Sequence, residues 1–483
     1  MSLRLNQLWA DAHALAPHHV ASPEGYPDSL DKVLVSRVDH DSRAVLDGSL
    51  FCCIPGSDHD GHDYAAGAVQ SGASALLVER RLPLQVPQLV MPSVRKAMPW
   101  FSAAVLGNPA RRLKVVGVTG TNGKTTIVQL LCSIAASAGL HATQIGTLTG
   151  VRTTPESTDL QRRLAQEVAE GTDVVAMEVS SHALDQGRAD AVTFAAAIFT
   201  NLTPDHLDYH TSMEEYFFAK ARLFDGRAAT AIINADDPWG QRILADHPDA
   251  RSFSLAATTV LEETAIHSTF VWNGREVRLP LAGDFNIANA LAAAEAAAAI
   301  GVDPDVIVAG LSNAPQVPGR MEIAIAASDF TPLVLVDYSH TPDGIEKVLA
   351  SCRRLVGIGG RLAIVFGAGG ERDRSKRPLM GTAASAADLV VVTSDNPRSE
   401  EPMTIINEVL TGVSAEGPHV MVEVDRRDAI AVALERSGPG DVVVVAGKGH
   451  ESTQTIGDQV LPFLDLTVIQ DLHRSMTEQG SDQ

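Results

Sequence analysis

The chain has 483 residues, enough for about three domains at roughly 150 residues each, and its 45% apolar and 20% charged content is that of an ordinary globular protein. A formal net charge of −21 disfavours nucleic acid and anionic membrane as partners, although small anions can still bind wherever cationic side chains concentrate. No apolar run is long enough to cross a bilayer and the N-terminus carries no basic-then-apolar leader, so neither membrane insertion nor secretion is expected.

The first domain is expected over 1–112, as a small α/β unit. A helix is predicted over 65–71 and a strand over 75–78. Asp41-Ser42-Arg43 and the segment 56–62, with Ser57, Asp58 and His59, read on their own as two polar turns. Asn108–Arg112 precedes the next strand and makes a natural boundary.

The central domain is expected over 113–318. Val115, Val116 and Val118 form a buried strand, Gly120, Thr121, Asn122 and Gly123 a tight turn, and Lys124, Thr125 and Thr126 the start of an apolar helix. Such a turn can cradle phosphate: backbone N–H groups point inward, the helix N-terminus adds partial positive charge, and the lysine adds a full one. The match to G-x-x-x-x-G-K-[ST] is imperfect, because Val118 stands where the first glycine belongs, and an ordinary strand–turn–helix with a surface lysine is the alternative. Residues 146–156, including Thr153 and Thr154, form a polar loop. A continuous apolar strand over 173–179 then brings Glu178 to its end, where parallel sheets place metal ligands. Another strand, 194–199, leads into the cluster Asp205, His206, Asp208 and His210, which suits either a metal or phosphate role or simple packing. Residues 215–224 read as an amphipathic helix on which Lys220 would be solvated. Strands follow at 230–236 and within 252–282. A strong helix then begins at Gly283 and carries Asn286 and Asn289 on nearly one face, as expected of caps or packed amides.

The third domain is expected over 319–483, after a hinge near Val317–Glu322. Apolar strands at 333–338, 361–366, 387–393 and 441–446 imply an α/β sheet of dinucleotide-fold type. The string at 366–370 lacks the GxGxxG spacing, so no NAD role follows. Three loops after strands stand out: 369–378 (GGERDRSKRP), 395–398 (DNPR) and 447–451 (GKGHE). Singly they are plausible turns. The four cysteines, Cys52, Cys53, Cys132 and Cys352, show no C-x-x-C spacing and fit a reducing compartment.

Taken in order, the strings TGTNGKTT, EVSSHAL, TNLTPDHLDYH, YFFAKARLF, DNPR and GKGHE resemble the Mur ligase family over nearly the whole chain. The resemblance implies an α/β enzyme of three domains: a UDP-substrate domain, a central P-loop-type mostly parallel sheet with helices on both faces, and a C-terminal dinucleotide-fold-like domain that binds an amino acid. It implies ATP and Mg²⁺, with Gly120–Thr126, Asn286, Asn289, Arg320 and Asp337 on the nucleotide. Thr125, Glu178, His206 and Lys220 would lie at the metal sites, Lys220 as a carbamate formed with CO₂, and Lys124 would stabilise the transferred phosphate. The DSR, DNPR and GKGHE strings resemble the branch that adds the third amino acid of the peptidoglycan stem peptide. Its substrates would be UDP-N-acetylmuramoyl-L-alanyl-D-glutamate, at Ser42, Ser57, Asp58, His59, Thr153, Thr154, Ser180, Gln186 and Arg188, and meso-diaminopimelate, at Arg372, Asp395, Asn396, Pro397, Arg398, Gly447 and Glu451. A cytoplasmic monomer is expected. A folylpolyglutamate synthetase or another Mur ligase would share the ATP loop but lack these strings. A P-loop switch or motor would hydrolyse ATP without an amino-acid substrate, and a non-catalytic paralogue would have lost Lys124, Glu178, His206 or Lys220.

Overall fold

The computed structural model describes residues 2–23, 28–56, 59–264 and 266–481, leaving aside the side chains of 28, 29 and 479–481. Ser57 and Asp58 lie outside the described residues.

Among the described residues the three largest of six sheets follow one another along the chain. The first has four strands, in the order Arg37–Asp39, Ser49–Cys52, Ala73–Val78 and Gln88–Val90, all parallel. Helices Leu5–Leu15 and Val94–Val105 cover one face around Leu8, Trp9 and Phe101, and Ala65–Gln70 packs near Phe51 on the other.

The central sheet has six strands in the order Arg251–Phe253, Ala231–Asn234, Ala196–Phe199, Lys114–Thr119, Val174–Glu178 and Ala142–Ile145, again all parallel. Its inner strands are uninterrupted apolar runs because helices bury both faces. Lys124–Ser137, Asp284–Ala299 and Pro304–Ser312 contribute to the core on one side. Ser157–Ala169 and Met213–Ala221 contribute on the other. From Lys114–Thr119 the chain first runs to the far edge, returns beside its starting point, and then builds outward on the opposite side. That reversal opens a crevice at the strand C-termini, where open α/β sheets bind ligands.

The third sheet has the order Glu322–Ile325, Leu333–Asp337, Val442–Ala446, Leu362–Phe366, Leu389–Val392 and His419–Val422, with only the first pair antiparallel. Behind it Arg426 and Asp465, both fully buried, pair at 2.7 Å. Removing one partner of such a pair strands the other charge in a low-dielectric site. Asp465→Ala is therefore expected to cost about 3–5 kcal/mol in the unfolding transition of this sheet, followed by urea denaturation; a loss below about 1 kcal/mol would show that the pair is not buried as described.

Candidate active site

The turn after Lys114–Thr119 takes its shape from two glycines. Gly120 has φ +148° and Gly123 φ +90°. A Cβ on Gly120 would lie 1.8 Å from Thr200 Oγ1, and one on Gly123 would lie 2.4 Å from Asn289 Oδ1. Backbone bonds fix the turn against the neighbouring strand end: Thr121 N donates to Asn201 O at 2.9 Å and Asn122 N to Asn201 Oδ1 at 2.9 Å. Asn289 donates in turn to Asn286 Oδ1 at 3.3 Å, so the two asparagines do share a face, behind Gly123. Thr126 is buried at the start of the helix.

Two lysines converge on this turn. Lys124 Nζ donates to Gly120 O at 2.8 Å and to Thr121 O at 2.9 Å. Lys220 Nζ donates to the same Gly120 O at 2.8 Å and lies 4.5 Å from the centre of the Tyr216 ring. The amphipathic reading put Lys220 in solvent; instead it is 1% exposed, because its helix packs against the turn. Burial, and then the neighbouring Lys124 charge, push the Lys220 ammonium well below its ordinary pKa, and burial lowers that of Lys124.

Glu178 is buried beside them. Thr125 Oγ1 donates to its Oε1 at 3.0 Å, and the Thr147 N–H and hydroxyl donate at 2.9 and 3.2 Å. His206 sits at φ +55° with its half-exposed ring 3.5 Å from Asp205; desolvation lowers the imidazole's pKa and the Asp205 charge opposes that. His182 and Tyr216 meet its ring edge-on, and Tyr209 and His210 pack in turn against those two; sequence reading had not singled out His182 or the two tyrosines. Glu178 and Thr125 offer hard oxygen donors, and among the described residues no three His, Cys, Asp or Glu converge into a cage. That donor set fits Mg²⁺, which is commonly held by one or two carboxylates together with phosphate oxygens and water.

A second group lies toward the first sheet. Thr154 Oγ1 donates to Glu178 O at 3.0 Å and accepts from Ser180 N at 3.0 Å. Arg188 donates to Thr154 O at 3.1 Å and to Gln186 Oε1 at 2.7 Å, and Thr153 faces Thr147 at 3.2 Å. Across the seam His40 meets Thr158 at 2.7 Å, and Arg162 reaches Asp39 at 2.9 Å. Ser42 begins the turn capped by Asp41, while His59 makes an edge contact with Tyr64 within the first unit.

The third sheet closes over the turn from the other side. Arg320 stacks over Tyr338 at 4.2 Å and donates to Thr125 Oγ1 at 3.2 Å. Asp337 does not reach the turn: its oxygens accept from Met321 N and Ser339 N, both at 2.8 Å, holding the bend that carries Arg320. Asn122 donates to Asp343 at 3.1 Å, and Lys376 lies 3.7 Å from Asp205. The loops DNPR and GKGHE meet beyond this seam. Asn396 donates to Glu451 at 2.8 Å, and Gly447 leaves room for the Asp395 carboxylate, whose pKa is raised by burial. Arg398, at φ +53°, donates to Gly370 O at 2.5 Å; the Pro397 carbonyl and the exposed Arg372 border the same loop. Sequence reading missed the buried Arg377, bridging Glu400 and Glu408 at 2.8 and 2.7 Å, and Lys448, which donates to Thr453 O at 2.6 Å.

A glycine turn ringed by lysines and a carboxylate, at the mouth of a parallel sheet and roofed by a second α/β unit, has the form of a phosphate-binding site of the nucleotide-dependent α/β class. The chain belongs to the Mur ligase family: it matches the family's catalytic domain over residues 34–112, its middle domain over 118–297 and its glutamate ligase domain over 319–449. It is 41% identical over 480 residues to the UDP-N-acetylmuramoyl-L-alanyl-D-glutamate–2,6-diaminopimelate ligase of Geobacillus kaustophilus, covering 93% of this chain and 95% of that one. The ligase of the same name from Gloeobacter violaceus is 43% identical over 460 residues, covering 90% and 93%. A solved structure of a ligase of that name superposes with a TM-score of 0.68 at 31% identity, covering 99% of this chain and 100% of the other. The Mur ligase family uses ATP. Gly120→Ala should cost about 2 kcal/mol or more through strain at a position where an L side chain collides. Relieving that strain by moving the turn should weaken ATP binding about tenfold or more by calorimetry, and unchanged affinity would remove the turn from the nucleotide site.

Proposed function

We propose that this enzyme joins meso-diaminopimelate to the D-glutamate residue of UDP-N-acetylmuramoyl-L-alanyl-D-glutamate, at the expense of ATP, in cytoplasmic peptidoglycan precursor synthesis. The observation that carries this is similarity at 41% identity, over nearly the full length of both chains, to ligases named for that reaction. The domain division 1–112, 113–318 and 319–483 is supported by the three sheets, whose strands fall at 37–90, 114–253 and 322–446. No helix among the described residues is long and apolar enough to cross a membrane. The enzyme is proposed to act as a monomer.

The γ-phosphoryl group of ATP moves to the side-chain carboxylate of D-glutamate, giving an acyl phosphate. The amine of diaminopimelate attacks that carbonyl, the C–N bond forms, and inorganic phosphate leaves with the carboxylate oxygen. Transfer between two anions needs positioning and charge neutralisation more than covalent help. Lys124, now turned back on the loop carbonyls, would donate to the β- and γ-phosphates. Asn286, Asn289 and Arg320 would border the nucleotide, with Asp337 acting through the bend that holds Arg320. Bound Mg²⁺ supplies charge neutralisation on the phosphates, and Thr125, Glu178, His206 and carbamylated Lys220 are the residues proposed to hold it. A lysine whose amine is favoured by burial is suited to capture CO₂, since the neutral amine is the nucleophile.

Ser42, Ser57, Asp58, His59, Thr153, Thr154, Ser180, Gln186 and Arg188 are proposed to bind the UDP-sugar dipeptide. The convergence of Thr154, Ser180, Gln186 and Arg188 beside Glu178 supports this. Arg372, Asp395, Asn396, Pro397, Arg398, Gly447 and Glu451 are proposed to bind diaminopimelate. Its far carboxylate, absent from lysine, suits the planar fork of Arg398, and Glu451 suits an ammonium.

Phosphate release with ATP, Mg²⁺ and the UDP-sugar dipeptide should therefore depend on meso-diaminopimelate and be weak with L-lysine. Arg398→Ala should lower kcat/KM for diaminopimelate about a hundredfold, as expected for a lost buried carboxylate contact of about 3 kcal/mol. Preferred turnover with lysine would contradict the assignment.

A further inference from the structure

Three arginines from three different elements gather on one carboxylate, Glu156. Arg152, on the loop before it, donates to Oε1 at 2.7 Å. Arg188 Nε lies 3.0 Å from the same oxygen. Arg95, from the helix Val94–Val105 of the first unit, faces Oε2 at 3.9 Å. The Glu156 side chain is only 9% exposed. It stands immediately before the helix Ser157–Ala169 yet makes no capping hydrogen bond there, so its oxygens serve the arginines rather than the helix end.

This carboxylate leaves Arg188 little freedom. Arg188 Nε and Nη2 both donate to Gln186 Oε1, at 3.1 and 2.7 Å, and Nη1 donates to Thr154 O at 3.1 Å, while the Glu156 carboxylate lies against Nε at 3.0 Å as its ion-pair partner. Burial disfavours the charged form of Arg188, and the Glu156 carboxylate opposes that effect. The Glu156 Oε2 and Arg95 Nη1 atoms are both buried, and neither has a hydrogen-bond partner. Glu156 and Arg152 also line a cavity of about 350 Å³ between the first and central units, together with His40, Asp41 and Arg162. Asp39 and Asp159 line the same cavity, so the positive charge available to an anionic substrate is that of the arginines gathered at Glu156 and not of the cavity as a whole.

We propose that Glu156 is a positioning residue for the UDP-sugar dipeptide: it aims Arg188 at the substrate and, through Arg95, ties the first unit to the central one across the binding cavity. This rests on the proposed function above. The test compares wild type, Glu156→Gln and Glu156→Asp in steady state, with melting temperatures and calorimetric binding of UDP-N-acetylmuramoyl-L-alanyl-D-glutamate measured alongside. Loss of one charge-assisted contact should raise KM and Kd for this substrate about tenfold in Glu156→Gln. kcat and the KM values for ATP and diaminopimelate should stay within about threefold, and Glu156→Asp, which keeps the charge on a shorter arm, should recover part of the loss. An unchanged KM and Kd for the UDP-substrate would overturn the proposal, as would a uniform fall across all three substrates that tracks melting temperature. If Glu156→Gln does not fold, the same criteria apply to Glu156→Asp. Absence of turnover in wild type with this UDP-substrate would overturn the proposed function as well, whereas failure confined to the variants overturns this inference alone.

Discussion

Two ammonium groups share one carbonyl oxygen at the centre of this molecule. Lys124 and Lys220 each donate to Gly120 O at 2.8 Å, and Lys220 is buried almost completely. Like charges this close, away from water, repel strongly, so the pair is stable only if one lysine gives up its charge or if anions arrive. A chain with a net charge of −21 thus concentrates two lysines at one turn, offset there by the carboxylates of Glu178 and Asp205. Glycine at 120 and 123 lets the backbone present that turn, and the strand end at Thr200 and Asn201 keeps it from relaxing away. In the proposed mechanism the nucleotide's phosphates relieve one charge, and carbamylation turns the other into an anion.

The neighbouring units are organised around the same point. The third sheet brings Arg320 to Thr125, Asp343 to Asn122 and Lys376 to Asp205, three contacts from separate segments on one side of the turn. The first sheet reaches the substrate side through Asp39, His40 and Arg95. Closing a site between rigid sheets excludes water from an acyl phosphate that hydrolysis would otherwise waste, and it strengthens every charge interaction inside. Domain arrangement and electrostatics are therefore one problem here: the seams are drawn where the charges are.

Much of this was legible in the sequence, for a physical reason. Strands such as Val174–Glu178 and Val442–Ala446 lie in sheets buried on both faces, and continuous apolar runs are the signature of that setting. The turn at 120–123 was legible because its glycines and lysine are local. The family resemblance named Lys220 but the local pattern did not show its burial: the helix Met213–Ala221 carries polar and apolar residues in a pattern that allows an exposed lysine, and only packing against a turn a hundred positions earlier buries it. Glu156 escaped notice for the same reason, since its arginine partners at 95 and 188 lie far along the chain. Asp337 illustrates a subtler limit, because its place in the string was clear while its bonding to Met321 and Ser339 was not. Arg377 and Lys448 sit in strings that look solvent-facing, yet both are fully buried through partners that local spacing cannot reveal.

The account turns on how the conflict between Lys124 and Lys220 is resolved. Carbon-13 NMR of the enzyme equilibrated with ¹³C-bicarbonate reads this directly. Wild type is predicted to show one carbamate resonance that disappears in Lys220→Ala and survives in Lys32→Ala, an exposed lysine of the first unit. No carbamate signal in wild type, or a signal that persists without Lys220, would contradict it.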